Sequence, residues 1–281
     1  MGALKLILLS AVLLLAVSCN NDLDEAGFLY TKYSVEERFE MSQNWLEQNP
    51  PVNIIITDST YRIFLFADTH IGTSMEVRQM LNKADTCAVA AIGAGDVCRG
   101  HVESYDSLEA LVNDYPGLPI FMTTGNHDLY FGNWPEFYSR FGASSYYFSV
   151  STPVASDLFI VLDSGSGTLG GSQLDWLTEI LEAKRHLYRY VTITTHLNFF
   201  RDGPSVICGL PPEELYSLLD LFMEYEVNMV VSGHEHHRYE NVLGPTQFVT
   251  VEALHDEESN SSWVELEIGN GIFDYQFKPV Q

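Results

Sequence analysis

Short, almost wholly apolar runs recur along this chain at Ile63–Ala67, Val89–Ala94, Pro119–Thr123, Leu158–Leu162, Tyr190–Thr194 and Val227–Val231. Runs of that length with no polar alternation read as strands buried on both faces. Between many of them lie helical patterns, at Met75–Ala88, Ser104–Asn113, Ser172–Arg185 and Pro212–Tyr225. Such alternation predicts an α/β domain. After Gly233 the texture changes. Thr246–Ala253, Trp263–Ile268 and Ile272–Phe277 read as strands separated by turn residues, and Tyr146–Val150 also alternates. The sheet is therefore expected to be mixed, with a strand-rich C-terminal end. Upstream, Val35–Gln48 places Val35, Phe39, Trp45 and Leu46 at amphipathic spacing, which predicts a short helix stopped by Pro50-Pro51.

The N-terminus carries a different pattern. In MGALKLILLSAVLLLAVSCNNDLDE, Lys5 precedes an apolar run, Leu6–Val17, too short for a comfortable membrane span. That is the form of a signal peptide over residues 1–18. Its end, Ser18-Cys19 followed by polar and acidic residues, resembles a bacterial lipoprotein signal, although Ala16 stands where Leu is usual. The resemblance implies a lipidated Cys19 and an exported, membrane-anchored protein, periplasmic or at the cell surface. Residues 19–51 then read as a tether with its short helix, and 52–281 as one domain. Composition, 46% apolar and 12% aromatic, argues against disorder. A net charge of -24 argues against nucleic-acid binding, since such a chain repels polyanions. Cys87 lies in a run that suggests a small core residue. A Cys98–Cys208 bridge is compatible with an oxidising compartment but not required by the spacing.

Polar residues fall at particular places in this pattern. Asp68, Asp96, Asn126, His196 and His234 each follow an apolar strand run closely. In open α/β sheets ligands sit beyond the carboxyl ends of the strands, so five strand ends are expected to deliver acceptor groups to one rim. Asp68-x-His70 and His234-x-His236 would place alternate residues on one side of an extended segment. Mixed Asp and His donors suit divalent transition metals better than calcium or magnesium.

These segments, Asp68-Thr69-His70, Gly95-Asp96, Gly125-Asn126-His127-Asp128, His196 and Gly233-His234-Glu235-His236, resemble in order the calcineurin-like metallophosphoesterase family, over about Tyr61 to Ile268. The resemblance implies a four-layer α/β/β/α sandwich with mixed sheets and two divalent transition-metal ions, Mn, Fe or Zn. Asp68, His70 and His236 would bind one ion, Asn126, His196 and His234 the other, and Asp96 would bridge them. His127 would act as general acid with Asp128 orienting its ring. The implied activity is hydrolysis of a phosphate mono- or diester by a metal-bridging hydroxide. Exported, the protein would act on a small-molecule, lipid or glycan phosphate ester.

Two departures stand out. Arg99 occupies a position that is often acidic or amide in relatives, and either contacts phosphate or is structural. The segment after His196, Leu197-Asn198-Phe199-Phe200, lacks a customary proline. Arg99 and Arg201 are candidates for substrate binding. His101, Tyr130, Phe131, Trp134, Phe199 and Phe200 divide between substrate contact and packing. His186, His237 and His255 read as ordinary surface or core histidines, as does His101 outside a substrate role. The competing function is a surface binding protein that keeps the metals without catalysis. Retention of His127 and Asp128 speaks against it.

Overall fold

A computed structural model describes residues 31–71, 75–200, 209–255 and 259–281. The signal and lipid-anchor residues up to Cys19, and also Arg201 and Cys208, lie outside the described residues. Among the described residues no helix is long and apolar enough to cross a membrane.

Helix α1 spans Val35–Gln48, the bounds expected from its pattern. Its start is a capping box: Ser34 accepts from the Glu37 N–H, and the Glu37 carboxylate accepts from the Ser34 N–H. Strands β1 (Asn53–Ile55) and β2 (Tyr61–Phe66) follow. Next come α2 (Met75–Cys87), β3 (Ala90–Gly93), α3 (Val102–Asn113) and β4 (Ile120–Met122). A 3-10 segment, His127–Gly132, leads to α4 (Trp134–Phe141), β5 (Tyr146–Ser151) and β6 (Ser156–Val161). Then come α5 (Gly171–Lys184), a 3-10 turn at Arg185–Leu187, β7 (Val191–Thr194), α6 (Pro212–Glu224) and β8 (Met229–Ser232). The C-terminal strands are β9 (Tyr239–Leu243), β10 (Thr246–Thr250), β11 (Ser262–Gly269) and β12 (Ile272–Pro279).

The strands form two mixed sheets, ordered β1-β5-β6-β7-β8-β10-β9 and β12-β11-β2-β3-β4. Alternation along β2 shows how they pack. Tyr61, Ile63 and Leu65 face the other sheet with Val264, Leu266 and Ile268 of β11, while Phe64 and Phe66 face outward. Those outward rings are buried under α2, α3 and α4, through Met80, Tyr105, Leu108 and Phe137. The second sheet is covered by α5 and α6, through Leu177, Leu181, Leu218 and Phe222. The result is the expected α/β/β/α sandwich with three apolar layers. A strand buried on both faces has no solvent side, and for this reason its sequence shows no polar alternation.

Parallel pairing sets where the site falls. In the smaller sheet, β2 pairs with β3 and β3 with β4, all parallel. In the larger, β7 and β8 are parallel neighbours. All five carboxyl ends point to one edge of the sandwich. Beyond them the loops continue the ladder: Asp68 N–H bonds Gly95 O, His70 N–H bonds Asp96 O, and Gly233 N–H bonds His196 O.

One expectation needs correcting, and burial decides one open alternative. Cys87 is exposed at the end of α2 rather than in the core. Trp134 and Phe199 are buried. Trp134 stacks on Phe137, and Phe199 packs on Phe222 and Phe248, so both are core residues and not substrate contacts. Phe200, half-buried, packs edge-on against Phe248. Cys98 is a buried free thiol.

Candidate metal centre

The smaller sheet brings Asp68, His70, Asp96 and Asn126 to the shared edge, and the larger brings His196, His234 and His236. Their donor atoms gather in adjoining groups. Asp68, His70 and His236 form one, Asp96, His196 and His234 another, and Asp96 also groups with His70 and His127. Within each group one donor atom per residue lies within 4.8 Å of the others.

The backbone that achieves this is not extended. Asp68, His70, Asp96, His234 and His236 all have left-handed φ, between 42° and 72°. Non-glycine residues seldom adopt that region, and it costs of order 1–3 kcal/mol each. So Asp-x-His and His-x-His converge through tight left-handed turns, a correction to the extended geometry expected from their spacing. Glycines permit the close approach. A Cβ on Gly125 would lie 2.1 Å from Asp96 Oδ1, and one on Gly233 would lie 2.4 Å from Asp68 Oδ2.

Hydrogen bonds aim the ligands. The His127 N–H donates to Asp96 Oδ1 at 2.7 Å, and the His234 N–H donates to Asp68 Oδ2 at 2.8 Å. His196 Nδ1 lies 2.9 Å from the Ala94 carbonyl. A carbonyl only accepts, so Nδ1 carries the hydrogen and Nε2 presents a lone pair. That lone pair faces Asn126 Oδ1 at 3.2 Å, His234 Nδ1 at 3.1 Å and Asp96 Oδ2 at 3.4 Å. In the other group His70 Nε2 faces His236 Nε2 at 3.2 Å, and His236 Nε2 lies 3.6 Å from Asp68 Oδ1. Acceptor atoms converging this closely in a buried place repel unless a cation or protons stand between them. The donor set therefore fits metal ions, and its nitrogen–oxygen mix suits transition metals.

Charge within the site is consistent with that fit. Burial opposes a second proton on His196, yet Asp96 and Asp68 beside it push its pKa up to about 10, so without a cation a proton occupies the Nε2 lone pair, which a metal would displace. Burial would raise Asp96, but the imidazoles of His196, His127 and His70 hold it well below the ordinary carboxylate range. Asp68 is pushed up, by burial first. Burial lowers His70 to about 3, leaving it a neutral imidazole with one nitrogen free to accept.

His127 sits over both groups. Its ring is 4.3 Å from that of His70, and its Nε2 is 3.9 Å from Asp96 Oδ2. Burial lowers its pKa. Asp128 differs from expectation. Its carboxylate accepts three backbone N–H groups, from Cys98 at 2.7 Å, Gly125 at 2.8 Å and Val97 at 3.3 Å. It ties the β3 and β4 loops together, and burial pushes its pKa up to about 7.

Arg99 lies at the edge of the site. Its Nε donates to the His70 carbonyl at 3.0 Å, and its Nη2 donates to His255 Nε2 at 2.7 Å. His255, taken from sequence as an ordinary histidine, is buried with its ring 5.7 Å from that of His70. Nothing in its local sequence marks it. The isolated bridge between Ala67 and Ala253 carries it there. Tyr130 lies 4.5 Å from the His127 ring, and Phe131 stacks on exposed His101 at 4.6 Å. Ser164 was also missed. Its Oγ accepts the His196 and Leu197 N–H groups at 3.1 and 3.0 Å and so holds the His196 loop.

A two-sheet sandwich with paired Asp/His clusters at its strand ends is the architecture of a metal-dependent phosphoesterase. The calcineurin-like phosphoesterase family model matches residues 61–238, and the chain belongs to that family. Solved structures share the fold. One is from Plasmodium, GAP50, described as the anchor in the inner membrane complex. It has TM-score 0.63 and 14% identity, over 80% of this chain and 86% of that one. A dimetal phosphatase from Danio rerio gives TM-score 0.60 and 14% identity, over 80% and 100%. A putative 5'-nucleotidase from Staphylococcus aureus, in complex with alpha-ketoglutarate, gives 0.57 and 14%, over 79% and 54%. No curated protein matches the chain.

Proposed function

We propose that the protein hydrolyses a phosphate mono- or diester with two divalent transition-metal ions, Mn, Fe or Zn. The observation that carries this reading is the convergence of imidazole and carboxylate donor atoms in two adjoining groups, with His127 facing both. Asp68, His70 and His236 would hold one ion and Asn126, His196 and His234 the other, with Asp96 between them. Bound there, the ions would neutralise phosphoryl oxygens and lower the pKa of a water.

The chain's own groups do the rest. His127, as the imidazolium, passes its proton to the ester oxygen as the P–O bond breaks, so the alcohol leaves neutral; the lowered pKa of its ring makes it a ready donor once charged. Asp128 fixes the loops that carry Asp96 and His127. Arg99, braced by His70 and His255, offers guanidinium charge to a non-bridging phosphoryl oxygen. Arg201 is retained as a second candidate for that role. The substrate is a small-molecule, lipid or glycan phosphate ester, met outside the cytoplasm by a protein anchored through lipidated Cys19. The inactive binding-protein reading gains no support from a site that keeps His127.

The test is the chain from residue 20 onward, assayed with Mn, Zn and Fe on activated and unactivated mono- and diesters. Turnover is expected. His127→Ala should lose about 100-fold or more on poor leaving groups, and much less on activated ones, while retaining its metals. A folded, metal-loaded sample inert on every ester overturns the proposal.

A further inference from the structure

Asn126 is the one amide in the expected ligand set, and an amide can face a cation correctly in only one of two orientations. Its oxygen has lone pairs, whereas its NH2 presents two hydrogens. In the structure Asn126 Nδ2 donates to the Tyr130 hydroxyl at 2.8 Å, and Oδ1 faces His196 Nε2 at 3.2 Å. The phenol oxygen therefore holds the nitrogen on the side away from the metal groups. A one-turn spacing of four residues sets this up, but the turn itself is irregular. Tyr130 has extended ψ at 152°, and Phe131 after it is left-handed at φ 59°. Asn133 closes the loop by donating from its N–H to the Tyr130 carbonyl at 3.2 Å and from Nδ2 to the Gly100 carbonyl at 2.6 Å. Gly100 makes room, since a Cβ there would lie 2.8 Å from Tyr130 Cβ. Among the described residues, Tyr130 belongs to none of the three apolar layers. Its ring lies against His127 instead.

We propose that Tyr130 is a positioning residue of the second metal position, holding the Asn126 amide so that oxygen faces the cation. The assignment rests on the metal reading given above. Partners that orient a ligand from behind commonly change metal affinity by about 10–100-fold when removed. Tyr130→Phe removes the hydroxyl and keeps the ring, so the wall beside His127 stays. Tyr130→Leu removes both.

The experiment is titration of the chelator-stripped full chain with Mn(II), read calorimetrically and by electron paramagnetic resonance. Wild type should bind two ions. Tyr130→Phe should bind the ion at the Asp68, His70 and His236 position with unchanged affinity and the other about tenfold more weakly. At saturating Mn(II), Tyr130→Phe should keep the wild-type dependence of kcat on leaving-group pKa, whereas Tyr130→Leu steepens it. Asn126→Asp supplies an oxygen in either orientation. Adding Tyr130→Phe to it should cost less than about threefold, as it removes no orienting contact. Two ions of wild-type affinity in Tyr130→Phe would overturn the assignment. So would a full tenfold cost in the Asn126→Asp background, which would show that the hydroxyl acts through packing alone. A wild-type chain that binds fewer than two ions removes the metal reading itself, and this assignment with it.

Discussion

Gly125 has no room for even one methyl group. An alanine Cβ would lie 2.1 Å from Asp96 Oδ1 and 2.5 Å from Asp96 N. Neither neighbour is free to yield, because that carboxylate is fixed by the His127 N–H and the nitrogen is backbone. Gly125→Ala must therefore displace Asp96 or the Asn126–His127 loop, and displacement of about 1 Å can cost about 100-fold in rate. The expected outcome is a folded protein, by circular dichroism, that loses metal on dialysis and about 100-fold in turnover. Unchanged metal content and rate would refute this. The same crowding explains what the residues revealed in advance. The gathering of candidate ligands was readable, since Asp68, Asp96, Asn126, His196 and His234 follow apolar runs whose parallel pairing puts them at one edge. Their left-handed turns were not readable, because only contact between loops from both sheets imposes those turns. The family resemblance pairs Asp128 with the His127 ring, whereas three N–H groups from the β3 and β4 loops claim its carboxylate. His255 reaches the site through a single backbone bridge that no local pattern announces.

At the scale of elements, α1 is held by a buried ion pair. Arg38, with no exposed surface, donates from Nε and Nη2 to both oxygens of Asp163 at 2.8 and 2.9 Å. Ser144 Oγ and Gly165 N–H also donate to Asp163. Burial works against the Asp163 charge, but the Arg38 guanidinium and these donors outweigh it, holding the carboxyl below its ordinary 3.8. A depressed folded-state pKa contributes stability above the ordinary value, and that contribution is lost as pH falls through the folded value. Asp163→Asn leaves Arg38 buried without a counter-charge and should cost about 3–5 kcal/mol near neutrality. In urea denaturation the gap from wild type should stay level from pH 7 to 5 and narrow below 3.8, as wild type itself loses the charge. A gap that widens in acid would contradict the sign. The bounds of α1 were legible from apolar spacing and Pro50-Pro51, whereas its docking was not, because Asp163 is 125 residues away in sequence. Elements without a periodic signature escaped. The β1 strand has three residues after two prolines, and α4 has only eight residues with Pro135 in its first turn. In β9, inside and outside positions alternate without a clean apolar face.

Over the whole molecule, the centre is shared between two sheets. Asp68, His70, Asp96 and Asn126 come from the β2, β3 and β4 ends, while His196, His234 and His236 come from the β7 and β8 ends. Each of the two proposed ion positions draws on both sheets: Asp68 and His70 meet His236, and Asn126 meets His196 and His234. Without cations, protons must stand between the facing nitrogens of His70 and His236 and of His196 and His234 across that seam, and beside the buried Asp68 and Asp96 carboxyls. Cation binding should therefore stabilise the entire sandwich, because an ion bound only by the assembled state shifts folding by mass action. At 100 times the dissociation constant one site contributes about 2.7 kcal/mol. For a domain of this size that corresponds to a rise of roughly 5–10 °C in Tm. Differential scanning fluorimetry of chelator-stripped protein with added Mn, Zn or Fe measures it. His236→Ala and His196→Ala should each remove about half of the rise, because each variant empties one position. A Tm indifferent to all three metals would mean that the cluster does not span the seam with ions. A rise that survives both single variants in full would place the stabilising ion elsewhere in the chain.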